Sequence, residues 1–317
     1  MRFLEATSLN TTNSIYSQQN RDFIIDCLVA QRSEYSRAKL INRWKAGITL
    51  FVAVISVLAS IVDNDVISAI SGLLAVALLI INKWLEKESN YHKKHAASVQ
   101  QYIDVKLFSD ALGVDKAIWG DIPSQNDLAE SITKYNQADR NELMNWYSDY
   151  SALPVEQQVL RCQKENIRWD SELNKKYRWF NVIIFVIALL AMVVSFFAVN
   201  PSFIKVICIL TWLAPLGDYC YSIFCEFNQS KKLYNKANKS FNRIECNIST
   251  NSVFIDDLVS LQYQINKKRE EGFLVPDWFY KKFHRKQQKI EDQIAKTIVS
   301  QHVESSENND PGNQTTY

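Results

Sequence analysis

The sequence WFNVIIFVIALLAMVVSFFAVNPSFI at residues 179–204 contains no Asp, Glu, Lys, Arg or His. A helix needs about 20 apolar residues to cross a hydrocarbon core about 30 Å thick. Thirteen positions within residues 181–199 are Val, Ile, Leu or Phe. At roughly −0.3 to −0.6 kcal/mol each, their summed preference for a membrane is about −4 to −8 kcal/mol. This stretch predicts a transmembrane helix; the alternative is a core helix of a large soluble protein, which the apolar character of every face disfavours.

The composition favours a folded, helical chain. The 317 residues carry a net charge of +2 and 47% of them are hydrophobic, which excludes a disordered chain. Seven glycines and six prolines suit long helices better than β-sandwiches or glycine-rich nucleotide-binding folds. The six cysteines show neither a CxxC pair nor zinc-ligand spacing, so we interpret them as small reduced residues.

Three further apolar segments extend the pattern to two helical hairpins. We place the first two spans at residues 46–62 and 66–82, around the acidic turn Asp63-Asn64-Asp65, and the other two at 179–199 and about 203–224. Lys and Arg flank the open ends of both hairpins, and such residues are enriched on the cytosolic side of membranes. Both termini are therefore expected in the cytosol. Because the first two spans are short, a reentrant or interfacial hairpin is the alternative for that pair.

The predicted fold class is an all-α membrane protein with two transmembrane helical hairpins (four spans) and a cytosolic helical domain formed from the N-terminal, central and C-terminal segments. In chain order we expect an N-terminal cytosolic helix (1–45), hairpin 1 (46–82), a central cytosolic helical segment (83–178), hairpin 2 (179–225), C-terminal cytosolic helices (226–303) and a disordered tail (304–317). Within these segments we expect short helices at 126–136 and 141–150, a long helix at 154–177 that continues into the third span, a short apolar segment at 254–261 and a charged helix at 277–302.

No motif in the sequence predicts catalysis. P-loop, GxGxxG and GxSxG sequences are lacking. His92 and His95 are separated by two lysines, whose charge would repel a metal ion, so we expect these histidines on a solvated helix face. We expect no enzyme activity, no cofactor and no metal. The basic helix at 277–302 is interpreted as a solvated face, with anionic lipid or nucleic acid as alternative contacts; direct nucleic-acid binding is not expected.

Two sets of polar residues recur at helical spacing and are the candidate functional residues. The first set comprises Gln19, Asn20, Gln31, Arg32, Tyr35, Ser36 and Lys39, and the second comprises Trp146, Tyr147, Cys162, Gln163, Asn166, Trp169 and Asp170. Polar residues aligned with Trp on one helix face indicate a packed polar interface between helices. Contact with a ligand is the alternative.

These residues carry a resemblance to a known family. The patterns Asn-x-Ile…Gln-Asn…Ala-Gln-Arg…Tyr-Ser-x-Ala-Lys, Gln…Asp…Phe and Trp-Tyr…Cys-Gln…Asn-x-x-Trp-Asp are similar to those of the SMODS-associating four-transmembrane effector family of bacterial conflict systems. Besides the two sets above, the matching residues are Asn13, Ile15, Ala30, Ala38, Gln100, Gln101, Asp104 and Phe108. The sequence departs from the family at residues 109–112, where it has Ser-Asp-Ala-Leu and the family often has Leu-Pro-Trp. The likeness covers roughly residues 13–300.

The resemblance implies a pore-forming effector of anti-phage defence in the bacterial inner membrane. In such systems a cyclic-oligonucleotide synthase senses infection, and the effector then permeabilises the membrane, which leads to abortive infection. The implied partners are the lipid bilayer, further copies of the chain and a cyclic nucleotide made by a neighbouring nucleotidyltransferase. No catalytic residues are implied.

A pore formed by the spans would be lined by their few polar side chains. The candidates are Ser56, Ser60, Ser68, Ser71, Ser195, Thr211 and Asp218. Serine also serves as a small packing residue between helices, whereas an intramembrane acid usually faces the bundle interior or water. Contact with lipid headgroups is the alternative for Asp218.

For the whole protein, the alternatives are a membrane scaffold or regulator without conductance and a membrane-bound enzyme that uses Cys162 or a histidine.

Overall fold

The computed structural model describes residues 14–61, 65–134, 140–199, 203–248 and 254–308. Within these ranges the chain is helical and contains no strand, which confirms the all-α prediction. The helices are α1 (Ile15–Gln18), α2 (Asp22–Ile61), α3 (Asp65–Leu112), α4 (Gln125–Lys134), α5 (Val155–Val199), α6 (Phe203–Ile248), α7 (Ile255–Glu271) and α8 (Asp277–Asn308), and 3₁₀ turns cover Lys116–Trp119 and Arg140–Leu143.

Four of these helices are long and continuous. The helices α2, α3, α5 and α6 have 40, 48, 45 and 46 residues, so each is about 60 to 70 Å long at a rise of about 1.5 Å per residue. Each helix runs through a predicted segment boundary, at residues 45, 82, 178 and 225 respectively. We predicted such continuity for α5 alone, and the structure shows it in all four. We call the described parts of residues 46–82 and 179–225 the two arms, and the remaining described chain the body.

The hydrophobic core lies in the body. Five helix segments pack around side chains that are almost fully buried. They are the start of α2, the second half of α3, the first half of α5, the end of α6, and α7. The buried side chains include Leu28, Ile103, Leu160, Phe241 and Leu258, and every described member of the core cluster comes from the body. Burial of one such side chain contributes about 1.5 to 3 kcal/mol, so apolar packing holds the body helices together.

The arms leave large apolar side chains exposed. Phe51, Leu73 and Ile80 of the first arm and Trp179 and Val194 of the second are between 64% and 72% exposed. The other exposed large apolar residues of the arms are Leu50, Val54, Val66, Ile70, Leu74, Val76, Ile81, Phe180, Val182, Ile183, Val186, Ile187, Leu190, Val193, Tyr221 and Phe224. Apolar patches of this size mark surfaces that are covered by a partner or by lipid.

Among the described residues, none of the helices combines the length and the continuous apolar character that crossing a bilayer requires. Several predicted features lie outside the described residues. These are the N-terminal residues 1–13, most of the two predicted turns (62–64 and 200–202), the tail from 309 to 317, and the side chains of Ser56, Ser60, Ser68, Ser71, Ser195 and Thr211.

Two C-terminal helices are longer than expected. The predicted apolar segment at 254–261 is the start of α7, which continues to Glu271 because its polar residues Gln262 and Arg269 point into the body, where they are 0% and 8% exposed. The last helix, α8, ends at Asn308. Residues 304–308 are therefore helical and do not belong to the tail.

The predicted short helix at 141–150 is absent. The 3₁₀ turn Arg140–Leu143 is followed by an irregular connection, in which Asn145 has a φ of 56°. A right-handed helix cannot contain a residue in this left-handed conformation. The residues that follow Asn145 therefore form a loop.

Candidate functional site

A buried carboxylate, Asp104 of α3, is the centre of a polar cluster inside the body, where it is 0% exposed. The Tyr147 hydroxyl donates to Asp104 Oδ1 at 2.6 Å, and the Gln262 side-chain amide donates to Oδ2 at 2.9 Å. Arg269 Nη1 lies 2.7 Å from Oδ2, and the Asn166 amide donates to the Tyr147 hydroxyl at 2.8 Å. We call these five residues the Asp104 node. They connect α3, α5, α7 and the loop after the second 3₁₀ turn.

Charge and burial make the Asp104 node a strong constraint. Burial lowers the pKa of the Arg269 guanidinium, but the Asp104 carboxylate, Tyr147 and Tyr35 together outweigh it, and the pKa lies above its ordinary value. Burial and the same carboxylate raise the pKa of Tyr147 well above its ordinary value, which keeps its hydroxyl protonated as a donor. Loss of one partner from a buried ion pair costs about 3 to 5 kcal/mol. The node therefore fixes the relative positions of the helices that supply it.

Two more glutamines extend the Asp104 node. Gln163 Nε2 donates to the Leu258 carbonyl at 2.9 Å and to Gln262 Oε1 at 3.2 Å. Gln262 Nε2 also donates to Gln101 Oε1 at 2.9 Å. Because an amide side chain both donates and accepts, these bonds form a continuous path from α5 through α7 to α3.

The first two residues of the N-terminal set hold the loop that presents Tyr147. Gln19 Oε1 accepts from the Tyr147 backbone N–H at 2.7 Å, and Gln19 Nε2 donates to the Tyr147 carbonyl at 3.1 Å. Asn20 Oδ1 accepts from the Asn145 N–H at 2.8 Å, and Asn20 Nδ2 donates to Asn145 Oδ1 at 2.9 Å. These bonds stabilise the left-handed conformation of Asn145, which is otherwise disfavoured. The two predicted sets of residues thus meet at this loop.

Three further residues of the first set lie on α2. Arg32 pairs with Glu142 at 2.7 Å, and both side chains are largely exposed. The Tyr35 hydroxyl donates to Gln100 Oε1 of α3 at 3.4 Å. Gln31 is buried in the body, at 5% exposed. Exposed pairs such as the first contribute about 0.2 to 1 kcal/mol, so the buried contacts carry more of the stability.

The last two residues of the first set hold the start of α8. Lys39 Nζ lies 2.7 Å from Asp277 Oδ1, and the Ser36 hydroxyl donates to Asp277 Oδ2 at 3.3 Å. The Lys39 ammonium also lies 5.6 Å from the centre of the Tyr280 ring. The beginning of α8 is therefore fixed against α2.

The remaining residues of the second set have packing contacts. Cys162 is 1% exposed; burial and nearby carboxylates raise the pKa of its thiol well above the ordinary value, which disfavours the nucleophilic thiolate. Trp146 is partly buried against the core, and the Trp169 ring lies 6.2 Å from the Tyr280 ring. The side chain of Asp170 lies outside the described residues.

The histidine pair on α3 lies against other helices and not on the solvated helix face that the sequence predicts. His92 is 7% exposed, and its Nδ1 lies 2.5 Å from the buried carboxylate of Glu34 on α2. His95 Nε2 lies 2.6 Å from the Ser131 hydroxyl of α4. The expectation was wrong because α2 and α4 cover this face of α3. In the part of the chain that the structure describes, no group of three or more His, Cys, Asp or Glu residues has a geometry that could hold a metal ion.

The residues that α7 supplies to the Asp104 node are absent from the two sets predicted from the sequence. Gln262, Ile265 and Arg269 are spaced by three and four residues, so they share one face of α7, and Ile265 is 0% exposed. The spacing can be seen in the sequence, but because two of the three residues are polar, it does not form the apolar stripe that marks a buried helix face. The adjacent Lys268 donates to the Asn166 carbonyl of α5 at 3.1 Å.

A second buried carboxyl, Glu165 of α5, lies between the loop and α8. The Ser148 hydroxyl donates to Glu165 Oε1 at 2.5 Å, and the Ser148 N–H donates to Oε2 at 3.2 Å. The same hydroxyl lies 3.4 Å from Asp292 Oδ1 of α8. Burial raises the pKa of Glu165 from 4.5 to about 7, against the lowering effect of the Ser148 hydrogen bonds. This group therefore changes its charge near neutral pH.

Polar contacts also connect the helices at the bases of the arms. Asp218 Oδ1 of α6 lies 3.7 Å from Lys83 Nζ of α3, so it joins the second arm to the base of the first. Asn82 Nδ2 of α3 donates to Thr49 Oγ1 of α2 at 3.0 Å, and both side chains are buried. Of the seven predicted pore-lining side chains, the structure describes Asp218, and it places this residue at the junction of the arms.

Comparison with known proteins places the chain in a family. No curated protein and no solved structure matches it. The family described as SMODS-associating 4TM effector domain matches residues 13–298, nearly the whole chain, which confirms the resemblance found in the sequence. This description is that of a membrane effector associated with nucleotide-signalled conflict systems. The chain belongs to the SMODS-associating 4TM effector domain family.

Proposed function

We propose that this protein is a membrane-disrupting effector of bacterial anti-phage defence, with its arms in the inner membrane and its body in the cytosol. The observation that carries the proposal is the contrast between the two regions. The described core cluster lies wholly in the body, whereas the arms expose large apolar side chains at about half of the positions whose side chains are described. Such a surface is unfavourable in water and favourable in hydrocarbon. Membership of a four-transmembrane effector family supports the same placement.

Tryptophans at the bases of the arms support a membrane boundary there. Trp44, Trp84 and Trp179 are between 62% and 68% exposed and lie next to the apolar segments. Exposed lysines accompany them, including Lys83 and Lys87. Because Trp is enriched at membrane–water interfaces and Lys and Arg on the cytosolic side, this arrangement favours a cytosolic body.

The continuous helices supply a route from the body to the membrane. Asp104 lies on α3 about 33 Å from the first arm, and Asn166 lies on α5 about 20 Å from the second, at about 1.5 Å per residue. A shift of these helices in the body therefore displaces the arms. We propose that a cyclic nucleotide, or a partner that responds to one, drives this shift together with oligomerisation of the body.

Opening requires several copies of the chain, because two hairpins per protomer cannot enclose a wide channel. In the open assembly, Ser56, Ser60, Ser195 and Asp218 line the channel. The contact between Asp218 and Lys83 holds the arms together before opening and is lost when the arms separate. The protein acts without catalysis.

The test is a dye-entry assay in bacteria that express this chain with or without a nucleotidyltransferase that makes cyclic oligonucleotides. We expect entry of a membrane-impermeant dye and growth arrest when both are present and the synthase is active. An arm variant with Ile187→Asp and Leu190→Asp should abolish dye entry, because two carboxylates replace exposed apolar side chains. A matched body variant, Ile118→Asp with Tyr263→Asp, changes two exposed apolar residues outside the arms and should retain it.

The outcomes separate the proposal from its alternatives. Normal dye exclusion and normal growth, with the protein present in the membrane fraction, would favour a scaffold or regulator without conductance. Recovery of the protein from lysate without detergent would overturn the membrane placement. Loss of activity on Cys162→Ala or on replacement of a histidine, at unchanged protein level, would instead point to an enzyme.

A further inference from the structure

The first turns of α8 lie beside the base of the second arm. The Trp278 ring is 5.4 Å from the Phe180 ring of α5 in an edge-to-face arrangement. Further along, Lys176 Nζ lies 4.5 Å from the centre of the Phe283 ring, and Arg168 makes a two-pronged contact with Glu291 at 2.8 and 2.5 Å. Along this series of contacts the residue numbers decrease on α5 and increase on α8, so the two helices are antiparallel.

The antiparallel packing sets the level of each α8 residue relative to the arm. From Trp278 to Glu291 and from Phe180 to Arg168 the rise is about 18 to 20 Å on either helix. Trp278 is therefore level with Phe180, one residue inside the apolar run of the second arm. Asp277, held by Ser36 and Lys39 of α2, fixes this position from the other side.

The exposed side chains at this level combine an aromatic ring with positive charge. Trp278 is 52% exposed, like the three tryptophans at the bases of the arms. Lys281 and Lys282 are exposed and follow within one turn, about 4 to 6 Å farther from the apolar run. The headgroup layer on each side of a bilayer is about 5 to 8 Å thick. These two lysines therefore fall within the headgroup layer, whereas Lys289 and Lys296 lie about 16 and 27 Å from Trp278.

We propose that the first two turns of α8 are a binding surface for anionic lipid, in which Trp278 lies in the interface and Lys281 and Lys282 contact lipid phosphates. The inference rests on the proposed function, because it requires the arms to lie in a bilayer. The lipid surface is favoured over nucleic acid because Trp278 packs on Phe180, at the start of the apolar arm, and the basic pair is adjacent to it. Attraction of a basic side chain to an anionic membrane corresponds to about a fivefold gain in binding per residue.

The test uses the full-length protein in nanodiscs made from phosphatidylcholine and phosphatidylglycerol. The measurement is the ratio of the two lipids that remain bound on gentle removal of the disc, relative to the bulk ratio. Wild type should retain excess phosphatidylglycerol, and the Lys281→Glu, Lys282→Glu double variant should reduce this excess by about fivefold or more. The neutral pair Lys281→Gln, Lys282→Gln should give an intermediate loss. The matched control Lys289→Glu, Lys296→Glu has the same charge change and should retain the excess.

The controls separate failure of this inference from failure of the proposed function. An equal loss in both charge-reversal variants, or no excess in wild type although the protein occupies the nanodisc, would overturn the inference and leave the membrane placement intact. A protein that does not enter nanodiscs would overturn both. Binding of labelled RNA that is lost in the Lys281, Lys282 variants alone would assign the surface to nucleic acid instead. Thermal melts of each variant show whether the body is still folded.

Discussion

The four long helices run through both the body and the arms, but the two regions are stabilised in different ways. In the body, polar groups are buried and paired, as in the contact of Asp104 with Arg269, and apolar side chains pack on one another. In the arms, apolar side chains point outward, as Leu73 and Val194 do. The difference indicates that the body is stable through its own packing, whereas the arms depend on what surrounds them. Substitutions should therefore have different effects in the two regions.

The largest effect is expected at the Asp104 node. Asp104→Ala leaves the Arg269 guanidinium buried without its carboxylate, so the free energy of unfolding should fall by about 3 to 5 kcal/mol. Denaturant unfolding of the protein in mild detergent, followed by Trp fluorescence, measures this change. Glu142→Ala removes the exposed partner of Arg32 and is the control, with an expected loss below about 1 kcal/mol. Equal losses in the two variants would show that the node is not a special constraint.

A pair of leucine truncations compares apolar packing in the two regions. Leu258→Ala opens a cavity in the body core, where the side chain is 0% exposed, and should lower the free energy of unfolding by about 2 to 5 kcal/mol. Leu73→Ala in the first arm, where the side chain is 72% exposed, should change it by less than about 0.5 kcal/mol. The same unfolding assay applies. A large loss from Leu73→Ala would mean that the arm packs on protein and would weaken the contrast.

A smaller, pH-dependent effect is expected at Glu165. Its pKa of about 7 in the folded protein exceeds the ordinary 4.5. Between pH 4.5 and about pH 7 the Glu165 carboxyl is therefore protonated in the folded state but ionised in the unfolded state. The free energy of unfolding falls as the pH rises through this range. Glu165→Gln removes that dependence, keeps an acceptor for Ser148, and should be more stable than wild type at pH 8 by about 3 kcal/mol. At pH 4.5 the two should be nearly equal. Melting curves across this pH range measure the difference, and Glu130→Gln, on the exposed surface of α4, is the control.

The sequence allowed prediction of the helical class, the long helix through residue 178 and the family. These predictions depend on helical periodicity and on apolar runs, which are signals between residues that are close in the sequence. The role of Asp104 as a shared acceptor could not be predicted, because its partners are 43, 158 and 165 residues away in the chain. The buried state of His92 was missed for the same reason, since the carboxylate that pairs with it is on α2.

The loop at residues 144–153 shows a second kind of limit. Its sequence contains no glycine, and Asn145, although its residue type is enriched in the left-handed conformation, does not by itself specify that conformation. Side chains from the distant residues Gln19 and Asn20 stabilise it. Tertiary contacts therefore decide the conformation of this segment, for which the sequence predicts a helix.

The central claim, that the arms lie in the membrane with the body on the cytosolic side, is tested most directly by cysteine labelling. In a variant without the six native cysteines, a single cysteine is placed at Asn64, in the turn that the sequence predicts for the first hairpin, or at Glu130, on the exposed face of α4. With a membrane-impermeant maleimide on intact cells, the account predicts labelling at position 64, and labelling at position 130 after permeabilisation only. Labelling at position 130 in intact cells, with position 64 protected, would contradict it.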